Sequence, residues 1–134
     1  MVQKEYISNL LRENKDAVII GSLGTISKDL EDFPNAIKVK GAMGCVMGIG
    51  LGYALSSKKN VIVIIGDGSY LMKAGSVNTI LNYKLDNLRV IILKNNKYAS
   101  TGGHKIKFNE NIVPNDMQYH TSWAHKVFEV VVVI

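Results

Sequence analysis

Asp67 stands between Gly66 and Gly68, with Ser69 just after them, at the end of the stretch Asn60–Gly66, NVIVIIG. An apolar run with no polar alternation predicts a strand covered on both faces, as in a parallel sheet. Such a strand delivers a carboxylate to its own end, and the chain then turns into a helix. Free N–H groups at a helix start suit a phosphate. A carboxylate suits a hard cation such as Mg²⁺. The flanking glycines remove side chains that would block a diphosphate. Taken alone, the triplet is equally an ordinary strand–turn–helix with Asp67 or Ser69 as its cap.

A second pair of residues sharpens the chemistry. Asn95-Asn96 lies at the end of the next expected buried strand, Leu88–Leu93, and Asn96 falls 29 positions after Asp67. One helix and one strand fill that interval. Adjacent parallel strands then place Asp67 beside Asn96. A carboxylate, an amide oxygen and a nearby backbone carbonyl, joined by phosphate oxygens and water, make up a Mg²⁺ shell.

The elements that must position these residues are readable from pattern. Gln3–Asn14 carries Tyr6, Ile7, Leu10 and Leu11 at helical spacing. Ala17–Ile20 is a short buried strand ending in Gly21. Thr25–Asp32 predicts a short helix stopped before Pro34, and Ala36–Lys40 a short strand. Gly41–Ser57, rich in Gly, Ala and Met, reads as a buried helix, and Tyr70–Lys84 as the helix after Asp67. Phe128–Ile134 is a last strand. Residues 109–126 suggest a loop with a short helix near Met117–His125. Strands alternating with helices predict an α/β fold with a mainly parallel sheet and helices on both faces. Ligands of such sheets lie beyond the C-terminal strand ends, where Gly21-Ser22, Asp67 and Asn95-Asn96 fall.

With these motifs quoted, the chain resembles the thiamine-diphosphate enzymes. GAMGCVMGIGLGYAL, VIVIIGDGSYLMKAGSVNTI and LKNNKYASTGG are similar to the diphosphate-binding (PP) domain of the phosphonopyruvate and sulfopyruvate decarboxylases, roughly over Val18–Gly103. The resemblance implies thiamine diphosphate and Mg²⁺ as cofactors. It implies Asp67, the Asn96 side chain and the Tyr98 carbonyl as metal ligands. Gly66, Gly68 and Ser69 would hold the diphosphate, assisted by Ser100 and more weakly by Ser22. The Gly41 carbonyl would meet the aminopyrimidine, and Met43 would wedge the cofactor into its bent form. That form lets the cofactor remove its own proton. His104, after Gly102-Gly103, is the candidate substrate contact, and no catalytic residue is otherwise expected in this chain.

The family's activating glutamate belongs to a pyrimidine-binding (PYR) domain, and residues 1–134 read as a single PP domain with a shortened C-terminal half. The expectation is a subunit of a 2-oxoacid decarboxylase acting on a small anionic substrate, inactive alone. It would work as a hetero-oligomer with a PYR partner, or form a homodimer in isolation. The alternatives are a non-catalytic cofactor- or partner-binding module and an acetolactate-synthase-like subunit.

Composition excludes other classes. Hydrophobic residues are 47% and charged residues 20%, ordinary for a folded domain. The net charge is +5, but the lysines are scattered, so no nucleic-acid interface is expected. No membrane span or signal peptide is visible, and a single cysteine, Cys45, permits no internal disulfide, so a cytoplasmic chain is expected. GIGLG at Gly48–Gly52 sits inside a helical stretch and Gly21–Gly24 is short, so neither is a dinucleotide fingerprint. His120 and His125 are five apart and read as structural or surface residues.

Overall fold

Val61–Gly66 and Leu88–Lys94 are the central strands, and their apolar runs are buried on both sides of the sheet. The computed structural model describes residues 2–98, 103–114 and 127–134. The element order is α1 (Gln3–Glu13), β1 (Val18–Gly21), α2 (Thr25–Asp29), β2 (Ile37–Lys38), α3 (Val46–Ser57), β3 (Val61–Gly66), α4 (Asp67–Met72), α5 (Gly75–Tyr83), β4 (Leu88–Lys94), β5 (Lys97–Tyr98), β6 (His104–Lys105) and β7 (Phe128–Val132). The main sheet runs β2-β1-β3-β4-β7 with every pairing parallel. β5 and β6 form a separate antiparallel ribbon.

Side-chain alternation divides the core in two. Val61, Val63 and Ile65 face α3 and α5, packing with Met47, Leu51, Val77 and Ile80. Ile62 and Ile64 face α1 and α2, packing with Ile7, Leu10, Leu11, Ile26 and Leu30. Helices therefore cover both faces, as the unbroken apolar strands require. Gly50 lets α3 pack tightly on the sheet: a Cβ there would lie 2.2 Å from Val63 Cγ2. Among the described residues, no helix is long and apolar enough to cross a membrane.

Three elements differ from expectation. The helix expected over Gly41–Ser57 starts only at Val46, because Ala42 (φ 52°) and Gly44 (φ 85°) take left-handed backbone conformations and break the helix before it. α3 is also not buried all round: Ile49, Tyr53 and Leu55 are exposed on its outer side. The helix expected over Tyr70–Lys84 starts at Asp67 and breaks after Met72, where Lys73 leaves helical geometry just before Gly75, a poor helix former. In the region expected as a loop, residues 110–112 make one 3-10 turn, held by the Tyr70 hydroxyl, which donates to the Ile112 carbonyl at 3.0 Å. Burial lifts that phenol from its usual 10 to about 12, so it remains a donor throughout the ordinary pH range. The helix expected near Met117–His125, with His120 and His125, lies outside the described residues.

Candidate active site

Three neighbouring strands, β1, β3 and β4, end at the same edge of the sheet. Parallel register fixes what meets there: Gly21 lies beside Ile64 and Gly66 beside Leu93. Ser22 thus follows β1, Asp67 follows β3 and Asn95-Asn96 follows β4, all within reach of one another. Asp67 is 1% exposed. Its Oδ1 accepts the Gly68 N–H at 2.9 Å, and its Oδ2 accepts the Asn95 N–H at 3.1 Å and the Asn96 N–H at 2.7 Å. A buried carboxylate needs such partners. These bonds tie the ends of β3 and β4 to a single side chain.

Asn96 has φ 60°, a conformation asparagine tolerates better than most residues, and its side chain is exposed. The Asn95 side chain accepts the Lys97 N–H at 3.1 Å. Two serines close the other flank. Ser22 and Ser69, both buried, lie with their hydroxyls 3.4 Å apart, and Ser27 donates to the Ser22 carbonyl at 2.7 Å.

A cleft opens above this floor. Gly66, Asp67, Gly68 and Ser69 line its base, Met43 and Gly24 one wall, and Asn95 and Lys97 the other. Met43 reaches it because Gly44 turns the chain there. Gly44 presses against the Ser69 carbonyl so closely that a Cβ at position 44 would lie 2.6 Å from it.

This donor set could serve a metal that is shared with a phosphate group. Among the described residues no three of His, Cys, Asp or Glu gather at one point. A cation at Asp67 would need ligands beyond one carboxylate, and phosphate oxygens with neutral amide and carbonyl oxygens supply them for Mg²⁺. The residues fit that group. Ser69 lines the cleft beside Gly68, and the buried Ser22 hydroxyl lies 3.4 Å from its Oγ.

The structure therefore brings together Ser22, Met43, Gly66, Asp67, Gly68, Ser69 and the Asn96 backbone. Gly41 is exposed in the turn before Met43, with open space about its Cα. Tyr98 lies on β5, paired with His104 on β6, and His104 is exposed and not among the residues lining the cleft. Ser100 lies outside the described residues. Sequence reasoning missed Lys97, Gly44 and Gln3. Lys97 adjoins the asparagine pair and could have been weighed with it. Gln3 reaches the cleft because α1 docks beside α2, where its amide donates to Thr25 Oγ1 and Asp29 Oδ2, and no local pattern signals that.

The fold and site define a doubly covered parallel α/β domain with a carboxylate-centred cleft at its strand ends. Residues 23–130 match the family described as thiamine pyrophosphate enzyme, C-terminal TPP binding domain, and the chain belongs to that family. It is 38% identical over 101 residues to the sulfopyruvate decarboxylase subunit beta of Methanothermobacter thermautotrophicus, covering 73% of this chain and 55% of that protein. It is 37% identical over 108 residues to the sulfopyruvate decarboxylase of Methanosarcina acetivorans, covering 78% of this chain and 28% of that one. Against the phosphonopyruvate decarboxylase of Streptomyces viridochromogenes it is 36% identical over 94 residues, with 68% and 24% covered. The chain thus matches about half the length of its beta-subunit relatives and about a quarter of the other two.

Proposed function

We propose that this chain is the thiamine-diphosphate- and Mg²⁺-binding subunit of a 2-oxoacid decarboxylase, working with a companion subunit that carries the pyrimidine-binding domain. The observation that carries this reading is the Asp67 carboxylate, buried at the end of β3 and bonded to the N–H groups of both Asn95 and Asn96. Asp67 and the Asn96 side chain hold the metal, with the Tyr98 carbonyl as third ligand. Gly66, Gly68, Ser69 and Ser22 receive the diphosphate, and Ser100 assists them. Gly41 meets the aminopyrimidine through its carbonyl, and Met43 supports the bent cofactor. When bound, the cofactor's thiazolium takes up the electrons released as CO₂ leaves the 2-oxoacid. Sulfopyruvate and phosphonopyruvate, named in the relatives, are the favoured substrates, and their negative charge suits a chain of net charge +5.

Two features support a companion subunit. The cleft encloses only about 40 Å³. Sites that bury a small organic ligand are typically about 300–1,000 Å³. No glutamate lines the cleft among the described residues, so the activating carboxylate has to arrive from elsewhere. The exposed Ile49, Tyr53 and Leu55 on α3 offer that companion an apolar surface.

Titration calorimetry tests this reading. Thiamine diphosphate is expected to bind the assembled subunits in Mg²⁺ and to be released by a chelator. Binding of equal strength with and without Mg²⁺ would contradict it.

A further inference from the structure

The ribbon at the cleft mouth carries a charge arrangement that the cofactor does not explain. β5 and β6 pair Lys97 with Lys105 and Tyr98 with His104. Directly opposite residues share a face, with Cβ atoms about 4.5–5.5 Å apart, and like charges so placed repel. Lys97 lines the cleft, and Lys105 is exposed beside it. The neighbouring Lys94 is neutralised by Glu110 at 3.7 Å. Among the described residues, neither Lys97 nor Lys105 has an ion pair. Asp67, the one carboxylate lining the cleft among the described residues, already accepts three N–H groups.

The ribbon is also anchored to the floor of the site. The Lys97 N–H donates to Asn95 Oδ1, and the Ile106 N–H donates to the Asn96 carbonyl at 2.8 Å. The two ammonium groups are thus placed relative to Asn95-Asn96 rather than carried on a free loop. Because successive residues alternate faces, His104 stands on the other side of the ribbon from this pair.

We infer that Lys97 and Lys105 form a cationic clamp for the distal anionic group of the substrate, the sulfonate or phosphonate on the carbon beyond the keto group. The inference rests on the decarboxylase reading above. The diphosphate lies deeper, at Asp67, Ser69 and Ser22. A tetrahedral oxyanion between the two ammonium groups removes their mutual repulsion and accepts a hydrogen bond from each. The clamp explains how the site would prefer a substrate with a second acid over pyruvate, which has none.

The test uses the chain assembled with its companion and compares Lys97→Met, Lys105→Met and Lys97→Arg. Losing one charged hydrogen bond should lower the sulfopyruvate-over-pyruvate preference in kcat/KM by about tenfold or more, through KM. Lys97→Arg should restore most of it. Binding of 3-sulfopropionate, which has both acids and no keto group, should weaken in the same proportion, while thiamine diphosphate affinity stays within about twofold. A preference that does not change overturns the clamp. So does a fall in thiamine diphosphate affinity without a change in preference, which would give the lysines to the diphosphate. Absence of turnover on any 2-oxoacid would instead defeat the decarboxylase reading, and 3-sulfopropionate binding to wild type against Lys97→Met would still decide the clamp.

Discussion

An Asp67→Ala chain is expected to lose Mg²⁺-dependent binding of thiamine diphosphate by about a hundredfold or more. Even the partners that merely orient metal ligands contribute about 10–100-fold to affinity, and among the described residues Asp67 is the one carboxylate lining the cleft. The same substitution strips acceptors from the N–H groups of Gly68, Asn95 and Asn96. A buried group left unsatisfied costs about 1–3 kcal/mol. Water entering the open cleft offsets part of this, so a lower Tm accompanies the lost binding. Asp67→Asn separates the two effects. Its amide oxygen can keep the Asn95 and Asn96 N–H groups while its NH2 faces only the Gly68 N–H, so the fold should lose less than in Asp67→Ala, but its neutral side chain is a weaker Mg²⁺ ligand. Thermal unfolding and calorimetry on both variants check this. A folded Asp67→Asn protein that binds the cofactor with wild-type affinity and Mg²⁺ dependence would remove Asp67 from the metal site.

Gly44→Ala is expected to weaken cofactor binding by about tenfold or more without touching a ligand, since a misplacement of about 1 Å is enough for large losses at such sites. Gly44 holds φ at 85°, where a Cβ is strained. The added methyl would also meet the Ser69 carbonyl at 2.6 Å and Lys73 Cγ at 2.5 Å. Lys73 can swing away, but the backbone carbonyl cannot. Relief must come from the turn lifting off α4, which carries Met43 away from the cleft. Gly48 is the control. It lies within α3, exposed, with open space about its Cα. Alanine there should leave binding intact and raise stability by about 0.5–1 kcal/mol in the isolated chain. Equal effects at the two positions would show that the left-handed turn does not position Met43.

The sheet and the heart of the site were legible for the same reason. Val61–Ile65 and Val90–Leu93 are buried on both faces, so their runs carry no polar alternation and announce a parallel sheet. Once they pair as parallel neighbours, their C-terminal ends bring Asp67 and Asn96 together. What was not legible depends on contacts distant in sequence. The turn over residues 41–45 exists because Gly44 packs against Ser69, a residue 25 positions later, and the composition of Gly41–Ser57 suits a helix throughout. The β5–β6 ribbon has two residues per strand and no apolar run. Hydrogen bonds to Asn95 and Asn96 place it, and these follow from the site rather than from local propensity. Gln3 reaches the cleft only through the docking of α1 beside α2. The outward side of α3 misled in the opposite sense: an apolar helix predicts burial, and this chain leaves Ile49, Tyr53 and Leu55 exposed.

The most direct measurement is CO₂ release from sulfopyruvate with thiamine diphosphate and Mg²⁺ present. The purified chain, a companion polypeptide bearing the pyrimidine-binding domain, and the two together would be compared. Turnover is expected only from the mixture, and it should vanish when the chain carries Asp67→Ala. Turnover by the companion alone, or by a mixture indifferent to Asp67, would contradict the account.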